Sequence, residues 1–173
     1  MGTFQSVYKQ RGSSVRILIV EDHDQFRQFV CSTLKKGAEL NVVGEVSDGL
    51  EAVRKAEELQ PDLILLDIGL PSLNGIEAAR RICTLVPKSK IVFLSQESSA
   101  DVVESALSVG ALCYVVKSQA GSELLPAVGA AIRGKQFVSV GLVGQVLNDP
   151  VKDEVRSRRR PRKVLPLLPE AVD

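Results

Sequence analysis

Four apolar runs in this 173-residue chain end in groups that handle phosphate or metal ions. VRILIV (Val15–Val20) runs into Glu21 and Asp22, and LILL (63–66) runs into Asp67. IVFL (91–94) is followed by Ser95, and CYVV (Cys113–Val116) by Lys117. Carboxylates gathered at one place repel, and a hard divalent cation with oxygen ligands relieves the repulsion. Mg²⁺ suits such a set, because it is satisfied by one or two carboxylates, a carbonyl, waters and a phosphate oxygen. Asp22 and Asp67 are the direct metal candidates, the Gly69 carbonyl a third ligand, and Glu21 acts mainly through a bound water. A carboxylate is also a nucleophile for in-line phosphoryl transfer, which needs positioning and charge neutralisation more than covalent help. With Asp67 as acceptor, the metal takes one equatorial oxygen, Lys117 a second and the Ser95 hydroxyl a third.

Such a set needs a scaffold that brings strand ends together. The near-continuous apolar runs are those of strands buried on both faces. A further strand is expected at 41–46, closed by Ser47-Asp48-Gly49. Helical periodicity follows each strand. Asp24 is expected to cap a helix reaching residue 36, and helices follow at 50–59, from Ile76 to Leu85, at 100–109 and at 122–132. Gly37, Pro61, Pro87, Gly110 and Gly134 punctuate them. Five strands, each followed by a helix through a short connection, predict an α/β fold: a five-stranded parallel sheet with helices on both faces. Ligands bind beyond the carboxyl ends of such strands, where the reactive groups fall.

Composition agrees with this. The chain is 45% hydrophobic and 25% charged, with 4% aromatic residues and no Trp, so Val, Ile, Leu and Ala must build the core. No apolar run approaches the ~18 residues of a membrane span, and no signal peptide is legible, so a cytoplasmic protein is expected. Cys31, Cys83 and Cys113 lack metal-ligand spacing and read as reduced core residues. The lone His23 reads as structural. The net charge of +1 is unevenly spread: the ends 1–14 and 150–173 carry +2 and +3, leaving −4 on the body. The stretch 156–163, RSRRRPRK, holds six basic residues in eight.

Taken in order, Glu21-Asp22, LDIGLPSLNG (66–75), Phe93-Leu94-Ser95 and Tyr114-Val-Val-Lys117 resemble the response regulator receiver family, over about residues 15–136. The resemblance implies a flavodoxin-like (βα)5 receiver fold and Mg²⁺-dependent phosphorylation of Asp67. The donor would be a histidine kinase or phosphotransfer protein of a two-component system or phosphorelay. Ser95 would move toward the phosphate and Tyr114 would rotate inward, switching the face of the fourth helix, fifth strand and fifth helix for a protein partner. Such a domain phosphorylates and dephosphorylates itself without turning over an external substrate. Gln96 departs from the usual small residue, and Gly69 leaves the site uncovered; the two act in opposite directions on acyl-phosphate lifetime.

The stretches VEDHDQFR (20–27) and IRGKQFVS (132–139) are similar to the NarL/FixJ branch, whose receivers normally precede a helix-turn-helix domain. The expected organisation is a flexible extension at 1–14, a receiver at 15–138 and a flexible basic tail at 139–173. About 35 residues are too few for a complete helix-turn-helix output domain. Sequence-specific DNA binding is therefore not expected, and a truncated or atypical DNA-binding transcriptional regulator is the alternative. A dehalogenase-type phosphatase wants a second Asp where Gly69 stands, and a flavin binder wants a phosphate loop where Glu21 and Asp22 stand. The expected assembly is a monomer or a weak, phosphorylation-dependent dimer, with no membrane contact.

Overall fold

A computed structural model describes residues 14–142. The chain alternates β1 (Val15–Val20), α1 (Asp24–Leu34), β2 (Leu40–Val46), α2 (Gly49–Leu59), β3 (Leu63–Asp67) and α3 (Gly75–Leu85). It continues with β4 (Lys90–Ser95), α4 (Ala100–Ser108), β5 (Cys113–Val116), a 3-10 turn (Lys117–Gln119), α5 (Ala120–Ile132) and β6 (Phe137–Val138). The flexible extension and basic tail expected from the sequence lie, apart from residues 14 and 139–142, outside the described residues.

The strands form one sheet in the order β2-β1-β3-β4-β5-β6, and every pairing is parallel. All five residues of β3 are buried, which explains its unbroken apolar run. Alternate side chains serve opposite faces. Leu18, Ile64, Leu66 and Phe93 pack with Ala52, Ala56, Ala79, Ile82 and Val103 of α2, α3 and α4. Ile17, Leu63, Leu65 and Val92 pack with Val30 and Leu34 of α1 and with Leu124, Ala127 and Val128 of α5. Alanines facing the sheet let the helices approach closely.

The flavodoxin-like α/β expectation holds, with one correction: the sheet has six strands, not five. β6 pairs Phe137 with Cys113 and Val138 with Tyr114. Two residues are too short to show a period-2 pattern, so this strand exists only by virtue of the β5 edge it adds to. Just past it, Ser139 and Leu142 are buried. A smaller correction concerns α1. Asp24 is its first helical residue, His23 stands at the cap without a side-chain capping bond, and the helix ends at Leu34. Asp48 and Asn74 do cap α2 and α3, accepting from Leu50 and Glu51 N–H and from Glu77 N–H respectively.

The sheet order reverses between β1 and β3, because α1 leads outward to β2 on one side while α2 returns to β3 on the other. A crevice opens at the carboxyl ends of strands flanking such a reversal. Glu21, Asp22 and Asp67 lie there.

Candidate functional site

Asp67 closes β3 and is buried. Its Oδ1 accepts hydrogen bonds from Ile68 N–H at 2.7 Å and Gly69 N–H at 3.3 Å. Its Oδ2 accepts from Lys117 Nζ at 2.8 Å. The β3–α3 loop folds back beneath it, with Gly75 N–H donating to the Ile68 carbonyl at 2.8 Å. A Cβ on Gly75 would stand 1.9 Å from the Asp67 carbonyl oxygen. Only glycine fits, and that close approach sets where the strand end lies. Gly69, in contrast, faces open space.

Lys117 reaches in from the end of β5 with its side chain only 8% exposed, and its ammonium also lies 2.7 Å from Glu21 Oε2. Burial opposes the charged lysine, but hydrogen bonds and charges from Asp67 and Glu21 outweigh it and hold its pKa above the ordinary value. Burial likewise pushes the Glu21 carboxyl above its usual range, against the lowering effect of Lys117 and of His23 N–H, which donates to Oε1 at 3.0 Å. Glu21 Oε2 is paired by charge without a well-aligned hydrogen bond. Glu21 thus spends both oxygens inside the protein. Asp22, with a side chain about one-third exposed (32%), stands at the mouth of the crevice. Carboxylate oxygens of Glu21 and Asp22 and a ring nitrogen of His23 lie within 4.8 Å of one another, and His23 itself is largely exposed. Arg27, from α1, donates to the Glu21 carbonyl at 2.8 Å and lies 3.4 Å from Glu45, pinning the β1–α1 connection.

Ser95 ends β4, one residue beyond the Leu94 that pairs with Asp67. Its hydroxyl accepts from Glu97 N–H at 3.1 Å, and the Glu97 carbonyl accepts from Tyr114 OH at 2.9 Å. The Glu97 backbone therefore joins Ser95 to Tyr114. Tyr114 is fully buried, burial raises its phenol pKa, and its ring lies 6.3 Å from that of Phe93. The inward position toward which the resemblance has it rotate is already occupied. Gln96 points to solvent.

One polar cluster escaped sequence reading. Ser139 donates to Glu123 Oε2, Glu123 Oε1 accepts from Val140 N–H, and Ser139 Oγ accepts from Val116 N–H at 2.9 Å. Ser139 N–H also donates to the Tyr114 carbonyl at 2.9 Å. These bonds fasten the segment after α5 to the strand that ends in Lys117. A buried glutamate on an otherwise apolar helix face was the only signal available. The three cysteines are free, and burial raises their thiol pKa values, that of Cys113 to about 11, so none is poised as a thiolate.

Among the described residues, no helix is long and apolar enough to cross a membrane. Residues 17–129 match the family described as the response regulator receiver domain. The transcriptional regulatory protein LiaR of Bacillus subtilis is 35% identical over 134 residues, covering 78% of this chain and 64% of that protein. The response regulator VraR of Staphylococcus aureus is 34% identical over 122 residues, covering 70% of this chain and 58% of that protein. This chain thus spans less than two thirds of either. Among solved structures, a LuxR-family two-component response regulator from Aurantimonas superposes with a TM-score of 0.74 at 29% identity, covering 83% of this chain and 99% of its own. The receiver domain of a response regulator NarL from Mycobacterium tuberculosis gives 0.68 at 28% identity, covering 71% and 99%. With the crevice, the fold and these likenesses agreeing, the chain belongs to the response regulator receiver family of two-component signalling.

Proposed function

We propose that Asp67 is the phosphoacceptor of this receiver, charged by a histidine kinase or phosphotransfer protein. The observation that carries the reading is the Lys117 ammonium held between Asp67 and Glu21, 2.8 Å and 2.7 Å away. A buried lysine that bridges two carboxylates is costly unless its charge has a use. A carboxylate oxygen of Asp67 attacks the phosphorus as the phosphohistidine nitrogen leaves with the bonding pair, giving an acyl phosphate. Lys117 then exchanges its Asp67 oxygen for a phosphoryl oxygen. The Ser95 hydroxyl turns from the Glu97 amide to donate to another.

The donor set suits Mg²⁺: hard oxygens from Asp22 and Asp67, the carbonyl of the uncovered Gly69, and Glu21 behind them with an oxygen satisfied by charge alone. When bound, Mg²⁺ supplies positive charge against the phosphoryl oxygens. Because both Glu21 oxygens are engaged, Glu21 orients Lys117 and meets the metal only indirectly.

Movement of Ser95 pulls on Glu97, and through it on Tyr114, so the signal reaches the α4–β5–α5 face. That face is offered to a protein partner, in a cytoplasmic monomer or weak dimer that phosphorylation strengthens. A second reading, direct regulation of transcription, is favoured by the names of relatives such as LiaR and by the basic run at 156–163. A mobility shift that depends on DNA sequence and survives physiological salt would support it, whereas binding lost at moderate salt would assign the contact to phosphate attraction alone. For the main reading, acetyl phosphate or phosphoramidate with Mg²⁺ adds one phosphate to the native chain and none to Asp67→Asn. Equal labelling of both by intact mass, or of neither, overturns it.

A further inference from the structure

We infer that Phe26 is a positioning residue for Lys117, holding the ammonium against its ring face so that it stays in the site while it changes oxygen partners. The inference rests on the phosphoacceptor reading of Asp67.

Lys117 Nζ lies 4.8 Å from the centroid of the Phe26 ring. An ammonium has three donors. Glu21 and Asp67 take two directions, and the ring closes a third side of a lysine whose side chain is 8% exposed. An aliphatic wall there would only add to the cost of burying the charge. An aromatic face returns part of that cost, because its quadrupole attracts cations and the attraction grows when water is excluded.

The ring is itself well placed. Phe26 lies in the first turn of α1, and the next residue, Arg27, ties that turn to the Glu21 carbonyl and to Glu45. Phe26 also packs against the core beneath α1 and meets Phe29 at 5.6 Å with the rings tilted by 34°. A lysine stem is long and flexible, and fixing it costs considerable rotamer entropy. A ring face offset from both carboxylates restricts that freedom. Unlike a carbonyl or a third carboxylate, it is only weakly directional, so Nζ can swing from Asp67 to a phosphoryl oxygen without breaking a specific bond. The geometry thus combines a firm hold with freedom to exchange.

The test compares Phe26→Leu, which keeps an apolar side chain but removes the π face, with Phe26→Tyr, which keeps the face. The full chain is labelled with phosphoramidate and Mg²⁺, and initial rates are read by intact mass. Phe26→Leu is expected to slow labelling by about 3- to 10-fold, and Phe26→Tyr to stay within about twofold of native. Equal rates for native and Phe26→Leu overturn the inference. So does an equal loss in both variants, which would mean that Phe26 only packs. NMR of the Lys117 ε-methylene provides a readout independent of labelling. Its protons are shifted upfield by the ring in the native chain and in Phe26→Tyr, and lose that shift in Phe26→Leu. If the native chain takes no label, the phosphoacceptor reading falls, and the NMR comparison alone decides whether Phe26 holds Lys117: no upfield shift in the native chain overturns the inference.

Discussion

Lys117 Nζ donates to Asp67 Oδ2 at 2.8 Å although 50 residues separate them in the chain. Two parallel strand ends make that meeting possible, with β4 between them. The same ammonium faces Glu21 at 2.7 Å, so one cation neutralises two carboxylates from two other strand ends.

Replacing Lys117 by Ala leaves Glu21 and Asp67 facing one another without a counter-charge. Removing one partner of a buried ionic group costs about 3 kcal/mol or more. Urea unfolding at pH 7 should show that deficit, and it should shrink on acidification as Glu21 takes up a proton. Signalling should fail even where some phosphate is still accepted, since the link between phosphate and β5 is gone.

Glu21→Gln should also lower stability, because an amide has one oxygen and its NH2 must face either the Lys117 ammonium or His23 N–H, where Glu21 presents an acceptor to each. Burial raises the folded-state pKa of Glu21 above its unfolded value. Its stabilising contribution is then fully present below the unfolded pKa, near 4.5, and is lost as pH rises through the higher folded value. The amide should cost about 1–3 kcal/mol at neutral pH, because a buried donor is left without an acceptor. Melting curves across that window check both points, since the variant lacks this group's gain in stability on acidification, and its phosphate-labelling rate should fall.

Two glycines of the β3–α3 region, Gly69 and Gly75, are alike by type but should behave oppositely. Gly75→Ala drives a methyl into the Asp67 carbonyl, 1.9 Å away, and should cost about 3 kcal/mol while displacing Asp67. Gly69→Ala meets nothing within 4 Å and should leave the denaturation midpoint almost unchanged. Urea midpoints of the two variants, measured side by side, test the contrast.

Ser139→Ala removes the acceptor of Val116 N–H and the donor to Glu123. A buried donor left unsatisfied costs about 1–3 kcal/mol. Hydrogen exchange should show faster opening at Val116 and across β6, with the amides of β3 unaffected.

Much of the site was legible before any fold was in hand. Glu21, Asp22, Asp67, Ser95 and Lys117 each follow an apolar run, and strand ends on one edge of a parallel sheet must converge. The five longer strands and five helices were legible for the same reason, since their periodicity is local. The two-residue β6 was not. Nor was the start of α1, where Asp24 is a good capping residue by type but His23 occupies the cap position.

What the amino-acid sequence determined by itself was the set of groups, their order and the parallel α/β scaffold, because apolar runs and helical spacing are short-range properties. Tertiary structure decided how the groups are shared. It gave Glu21 to Lys117, buried Tyr114 with its hydroxyl on the Glu97 carbonyl, pressed Gly75 onto Asp67 and set Phe26 beneath the ammonium. Each of these depends on distances between segments far apart in the chain, which are settled only when the two faces of the sheet are packed.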